Sequence, residues 1–221
     1  MNQSFKKEKY VVLLSGGLDS VVNFYWAESQ GEIVLALTFD YGQRAAEREI
    51  QASEFFCSEL GVQHKVIRLT WLSEITKTAL VNKSERLPTL KDLDDLEEGN
   101  TSAAKVWVPN RNGVFLNIAA SFAESHGANF IVPGFNIEEA ATFPDNSQKF
   151  IDASNGAFKL STLAGVQVKC FTSNLNKRQM ATKAQELGVN LDQVWSCYEN
   201  GPSRCGKCES CLRFSRALGA S

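Results

Sequence analysis

No stretch of this chain approaches the roughly 18 consecutive apolar residues that suggest a membrane span. The start, Met1-Asn2-Gln3-Ser4-Phe5-Lys6-Lys7, carries basic residues but no apolar h-region, so no signal peptide is expected and the protein reads as cytoplasmic. Strong charge of either sign is missing too. Lys and Arg number 23 against 25 Asp and Glu, a net charge of −2, which argues against a broad electrostatic footprint for nucleic acid. A local basic patch around Arg204, Lys207, Arg213 and Arg216 reads most simply as a solvated helix face. Histidine is scarce: His64 and His126 fall in a strand pattern and at a helix end, and both read as structural. No Ser-His-Asp arrangement and no internal repeat is apparent.

Two nucleotide-binding signatures are absent as well. A Walker A loop requires Lys after its glycines, and here Asp19 occupies that stretch. The dinucleotide fingerprint G-x-G-x-x-G is also missing. What is present is Ser15-Gly16-Gly17-Leu18-Asp19-Ser20, placed between the apolar run Tyr10 to Leu14 and the helical pattern Val21 to Glu28. Strand, glycine turn and helix start in succession make a phosphate site. The glycines admit close backbone approach, and the unpaired N–H groups of the first helical turn point at the anion. Ser15 and Ser20 can add hydroxyl donors, and the helix dipole contributes about 0.3–1 kcal/mol. The other reading is an ordinary β–α turn with Asp19 or Ser20 as N-cap.

Apolar β-rich runs alternate with helical patterns, which predicts an α/β fold: a Rossmann-like parallel sheet with helices on both faces. Strands are expected at 10–14, 33–39, 63–69, 129–134 and 166–171, and helices at 19–30, 43–60, 111–126, 147–162 and 177–187. Gly31, Gly61, Gly127 and Gly188 sit where helix ends favour a left-handed residue. Residues 1–190 would form an ATP-binding domain, with 191–221 a metal-binding segment packed on it. Ligands are expected beyond the carboxyl ends of the strands. The acidic stretch 82–104, with Asp92, Asp94, Asp95, Glu97 and Glu98, breaks the pattern and reads either as a mobile lid or as a passive surface loop.

Four of the six cysteines, Cys197, Cys205, Cys208 and Cys211, follow the spacing C-x7-C-x2-C-x2-C. A C-x2-C step sets two thiolates on one tight turn, and four thiolates about 2.3 Å from a Zn²⁺ ion complete a closed structural site. A structural zinc knuckle leading into a C-terminal helix is therefore expected. Disulfides are disfavoured in a cytosolic chain. An iron–sulfur cluster is a rival, although Leu212-Arg213 stand where a ferredoxin run has its further Cys-Pro. A persulfide-carrying role is the third alternative. Cys57 and Cys170 read as small buried apolar residues.

The glycine turn resembles the pyrophosphate loop of ATP-dependent adenylating enzymes, the ATP pyrophosphatases. The wider combination resembles the 7-cyano-7-deazaguanine synthase family, nitrile-forming ligases of queuosine precursor synthesis. It is carried by Leu14 to Ser20, Phe39-Asp40-Tyr41-Gly42-Gln43-Arg44, Val108-Pro109-Asn110-Arg111-Asn112, Pro133-Gly134-Phe135-Asn136, Phe143-Pro144-Asp145, and Cys197-Tyr198 through Cys211. The chain departs from the family pattern after Asp145, with Asn146-Ser147 in place of Cys-Arg. Lys149 could replace that charge but not a bidentate fork.

The resemblance implies ATP-dependent conversion of 7-carboxy-7-deazaguanine and ammonia to 7-cyano-7-deazaguanine through adenylated intermediates, with Mg²⁺ on the phosphates. It implies that Leu14, Ser15, Gly16, Gly17, Leu18, Asp19 and Ser20 hold the phosphates, Asp19 through Mg²⁺ or a backbone turn. Asp40, Tyr41 and Gln43 lie just past the second strand, where ligands are expected. Arg44 would stabilise charge on the adenylated transition state, or make a surface salt bridge. Arg111 would pair with the substrate carboxylate, or serve capping and solvation. Asp145 and Glu138 are candidates for the deazaguanine N–H edge, or are solvated loop carboxylates. The resemblance suggests a homodimer, to which the helix from Glu209 to Leu218 could contribute. A tRNA-thiolating enzyme with the same loop, and a zinc-stabilised nucleotide-binding module without catalysis, are the competing functions. No glutamine-hydrolysing domain is visible to supply the ammonia.

Overall fold

A computed structural model describes residues 7–88, 101 and 103–219 of the 221-residue chain. Five strands, β1 (Lys9–Leu13), β2 (Glu32–Asp40), β3 (His64–Arg68), β4 (Phe130–Val132) and β5 (Gln167–Val168), form one parallel sheet in the order β3-β2-β1-β4-β5. Among the described residues, the fully bounded helices are α1 (Leu18–Gln30), α2 (Ala46–Leu60), α3 (Thr70–Ile75), α4 (Arg111–Ser125), α5 (Ile137–Ala140), α6 (Gln148–Ser161), α7 (Lys177–Glu186) and α8 (Glu209–Ala217), with 3-10 turns at Pro144–Asn146 and Leu191–Gln193. The α/β, Rossmann-like reading holds.

Alternation along the strands builds two cores. Tyr10, Val12 and Leu14 face α1, α2, α7 and Phe214 of α8, whereas Val11, Leu37 and Ile131 face α3, α4 and α6. Helices therefore cover both faces, which accounts for strands that are apolar nearly throughout. The sheet order reverses between β1 and β4, so a crevice opens where their carboxyl ends diverge.

Among the described residues, the short helices α3 and α5 and the helical residues 103–106 were not anticipated. At six and four residues α3 and α5 are too short to show an apolar period. Gly61, Gly127 and Gly188 are left-handed as expected, but Gly31 is extended, at φ −164°. Close packing explains that glycine instead: a Cβ there would lie 2.3 Å from the Glu8 carbonyl oxygen. No helix among the described residues is long and apolar enough to cross a membrane. Most of the acidic stretch 82–104, namely 89–100 and 102, lies outside the described residues.

Candidate active site

The turn between β1 and α1 stands at the sheet's switch point. Gly16 has φ +73°, and a Cβ there would meet the Ala52 Cβ at 2.5 Å, so only glycine fits beneath α2. Ser20 Oγ donates to the Gly17 carbonyl at 3.0 Å, accepts from the Ser15 N–H at 3.1 Å, and lies 3.1 Å from Ser15 Oγ. No side chain caps α1, and Gly17 occupies the N-cap position. The Asp19 and Ser20 side chains thus do not satisfy the first-turn N–H groups, the arrangement an anion site requires.

Asp19 points across the crevice. Its Oδ2 accepts from Asn136 Nδ2 at 2.9 Å and from Lys177 Nζ, while Oδ1 is buried with no hydrogen-bond partner among the described residues. Lys177 Nζ also reaches Glu139 Oε1 at 2.7 Å. Burial pushes the Asp19 carboxyl up to about 6, against the pull of Lys177. Burial works against the Lys177 charge, yet Asp19 and Glu139 together hold that ammonium above its ordinary range. The loop after β4 seals this junction, because a Cβ on Gly134 would fall 2.7 Å from the Ser20 nitrogen.

A second polar group lies past β2. Tyr41 is buried, and its hydroxyl accepts from Arg111 Nη1 at 3.2 Å. Asp145, whose carboxyl is pushed up by burial, feels the same Arg111 charge. Gln43 is buried as a brace: its Oε1 accepts from the Tyr41 N–H at 2.9 Å, and its Nε2 donates to the Phe39 carbonyl at 2.9 Å and to Glu49 Oε2 at 2.8 Å. Asp40 Oδ1 accepts from the Gly42 N–H at 3.1 Å, closing the turn beside it.

Arg44 points elsewhere. Its guanidinium pairs with Glu199 at 3.0 Å and donates to the carbonyls of Asn82, at 2.7 Å, and Glu85. It ties the start of the 82–104 stretch to the C-terminal segment. Asn146 is buried against Asp145, Ser147 caps α6, and Lys149 is exposed on that helix. Glu138 accepts from the Lys177 backbone N–H at 2.8 Å, so Glu139, not Glu138, is the carboxylate beside Asp19.

Sequence reading missed Lys177, Asn136, Glu139 and Glu49. One signal for Lys177 was available. Asn176-Lys177-Arg178-Gln179 forms a capping box, with Asn176 and Gln179 bonding each other's backbone. That box places a lysine in the first turn of the helix that follows β5. Asn136 stands in the Pro133–Asn136 motif without being given a role, and nothing local marks Glu139 or Glu49.

The cysteines of the C-terminal segment converge. The sulfurs of Cys197, Cys205, Cys208 and Cys211 all lie within 4.8 Å of one another, and no disulfide joins them. Backbone N–H groups of Glu199 and Cys205 approach Cys197 Sγ at 3.4 Å, and that of Cys208 approaches Cys205 Sγ at 3.4 Å. Donation from Cys208 and Cys211 holds the Cys197 thiol far below its ordinary pKa, favouring the metal-binding thiolate. The cluster could hold a metal ion. Cys57 is buried, and Cys170, half-buried, lies 3.4 Å from the Phe135 carbonyl oxygen.

A family model described as Queuosine biosynthesis protein QueC matches residues 9–221. The chain belongs to this family. The 7-cyano-7-deazaguanine synthase of Carboxydothermus hydrogenoformans is 51% identical over 214 residues, spanning 97% of this chain and 100% of its own. That of Bdellovibrio bacteriovorus is 47% identical over 219 residues, spanning 98% and 95%. Membership assigns the chain to queuosine biosynthesis, as an enzyme. Among solved structures, the NMN synthetase from Francisella tularensis superposes with a TM-score of 0.52 at 16% identity, covering 98% of this chain and 79% of that one. The U34-tRNA thiolase NcsA from Methanococcus maripaludis, solved with its 4Fe-4S cluster, gives 0.52 at 16% identity over 99% and 67%. At such identities the likeness is one of fold.

Proposed function

We propose that the chain converts 7-carboxy-7-deazaguanine and ammonia to 7-cyano-7-deazaguanine at the expense of ATP, through adenylated intermediates. Family membership supports the product. The observation that carries the chemistry is an uncapped helix N-terminus behind a glycine turn, with Asp19 and Lys177 beside it. A carboxylate is a poor electrophile, and adenylation turns its oxygen into a leaving group.

In this reading Leu14, Ser15, Gly16, Gly17, Leu18 and Ser20 cradle the outer phosphates and leave the inner phosphorus open. Lys177 supplies charge beside them. The Oδ1 of Asp19, buried and without a hydrogen-bond partner among the described residues, fits a Mg²⁺ ligand, since a hard cation takes carboxylate oxygen. Magnesium, when bound, would neutralise phosphate charge. Asp40, Tyr41 and Gln43 shape the ligand wall past β2. Arg111 pairs with the substrate carboxylate, and Asp145 faces the deazaguanine N–H edge. Arg44, bound to Glu199 and two carbonyls, supports that wall from behind.

Zinc is the metal that best fits the cysteines. A tetrahedron with Zn–S of about 2.3 Å has edges of about 3.8 Å, close to the 4.0 Å between Cys205 and Cys211. An iron–sulfur cube would need its ligands spread over several irons. A cytoplasmic homodimer without direct nucleic-acid contact completes the proposal.

The test is to incubate the protein with 7-carboxy-7-deazaguanine labelled with oxygen-18 in its carboxylate, ATP, Mg²⁺ and ammonium. Nitrile by mass and label in AMP are expected. Hydrolysis of ATP with no label in AMP would refute adenylation.

A further inference from the structure

We propose that Glu49 is the general base of the nitrile-forming reaction, accepting protons from the attacking ammonia and then from the nitrogen of the activated amide. This deepens the function proposed above and rests on it.

Glu49 lies in the first turns of α2, which close over the phosphate loop. A Cβ at Gly16 would lie 3.1 Å from the Glu49 carbonyl oxygen. Its carboxylate reaches the other way, toward the tip of β2, where Gln43 Nε2 holds Oε2 at 2.8 Å. Gln43 is itself pinned by Tyr41 and Phe39, so that oxygen is fixed in direction. Among the described residues no cation pairs with the carboxylate, and the residue is half-buried. Gln43 anchors one oxygen, and the charges of Arg111 and Asp40 act on the same carboxylate, which sets it within reach of both the β2 tip and the Arg111–Tyr41 pair. A structural carboxylate here would be expected to carry an ion pair, as Asp19 does.

The electrostatics agree with this placement. Burial pushes the Glu49 carboxyl up to about 7; the Gln43 bond and Arg111 on α4 pull it down, and Asp40 at the end of β2 pushes it up. A base that titrates near working pH is matched to proton transfer.

The chemistry requires such a group. Ammonium has no lone pair for attack. When ammonia adds to the acyl-adenylate, a C–N bond forms, the C–O bond to AMP breaks, and one N–H proton passes to Glu49, leaving the amide. After the amide oxygen displaces pyrophosphate from a second ATP, the nitrogen loses both protons in turn. The C–O bond to AMP breaks and the C≡N bond forms. Glu49 takes each proton and releases it to water between steps.

Glu49→Gln separates the stages. Substrate-dependent exchange between ATP and pyrophosphate needs no base and should stay within about threefold of the parent. Hydroxylamine, uncharged near neutrality, should still trap the acyl-adenylate as hydroxamate. Nitrile formation from ammonium should fall about 100-fold or more, and the acid limb near pH 7 should vanish from the residual rate. Nitrile formation within threefold of the parent, or equal loss of all three activities, would overturn the proposal. Should the amide variant not fold, Glu49→Asp should slow nitrile formation while exchange persists, and equal loss of both would overturn it. Absence of exchange in the parent would refute the proposed function instead.

Discussion

The backbone N–H of Trp195 donates to the carbonyl of Gly16 at 2.8 Å, so the segment entering the cysteine knuckle is bonded directly to the glycine turn. Arg48 strengthens the junction, stacking over the Trp195 ring at 5.1 Å and donating to the Gly201 carbonyl at 2.7 Å. The knuckle has little apolar core of its own beyond its cysteines, Trp195 and Tyr198. A metal bound by the four cysteines would therefore set its order, as in small metal-folded modules.

Removing the metal should accordingly weaken the nucleotide site. Cys208→Ser is expected to lower metal content and solubility, and to lower ATP affinity about tenfold, read by metal analysis and titration calorimetry. Full metal occupancy with selective loss of turnover would contradict a structural role for the cluster.

The junction of Asp19, Glu139 and Lys177 predicts an asymmetry. Lys177→Met leaves Asp19 and the partly exposed Glu139 without their shared cation and should cost about 1–3 kcal/mol, less than a fully buried pair because solvent screens Glu139. Asp19→Asn leaves Lys177 its bond to Glu139 and should cost far less. Urea unfolding of both variants would check this, and equal losses would show that the three groups do not act as one network.

Gly134→Ala tests the seam between β4 and α1. The added Cβ would stand 2.7 Å from the Ser20 nitrogen and 2.8 Å from its Cα, both backbone atoms that cannot rotate away. Overpacking of this kind costs about 1–3 kcal/mol. The displaced helix start should also weaken ATP binding. Parental affinity in the variant would detach the seam from the phosphate site.

Stability should carry the mark of Glu49. Its folded pKa of about 7 exceeds the unfolded value of about 4.3. Between those values the folded chain keeps a proton that the unfolded chain releases, so stability falls as pH rises through the window and stays lower above it. Asp19, at about 6, acts in the same direction. Glu49→Gln should therefore melt higher than the parent at pH 8, with the advantage fading toward pH 4.5. A difference independent of pH would mean that the carboxyl is not strained by burial.

Much of this was written locally. Each strand–turn–helix unit could be read from apolar runs and glycine punctuation, because the strand period, the helix period and the turn residues are properties of neighbouring positions. The cysteine spacing announced a metal-sized cluster for the same reason: two C-x2-C steps are local turns. Only the tertiary structure decided what stands beside the glycine turn. Lys177 and Asn136 meet Asp19 across 158 and 117 residues, a meeting set by β4 and β5 lying on one side of β1. It also decided that Gly31 serves packing rather than a left-handed cap, and that Arg44 grips Glu199. Local chemistry selects elements, but the order in which strands join a sheet selects which side chains share a crevice, and that order is fixed by burial summed over the whole chain.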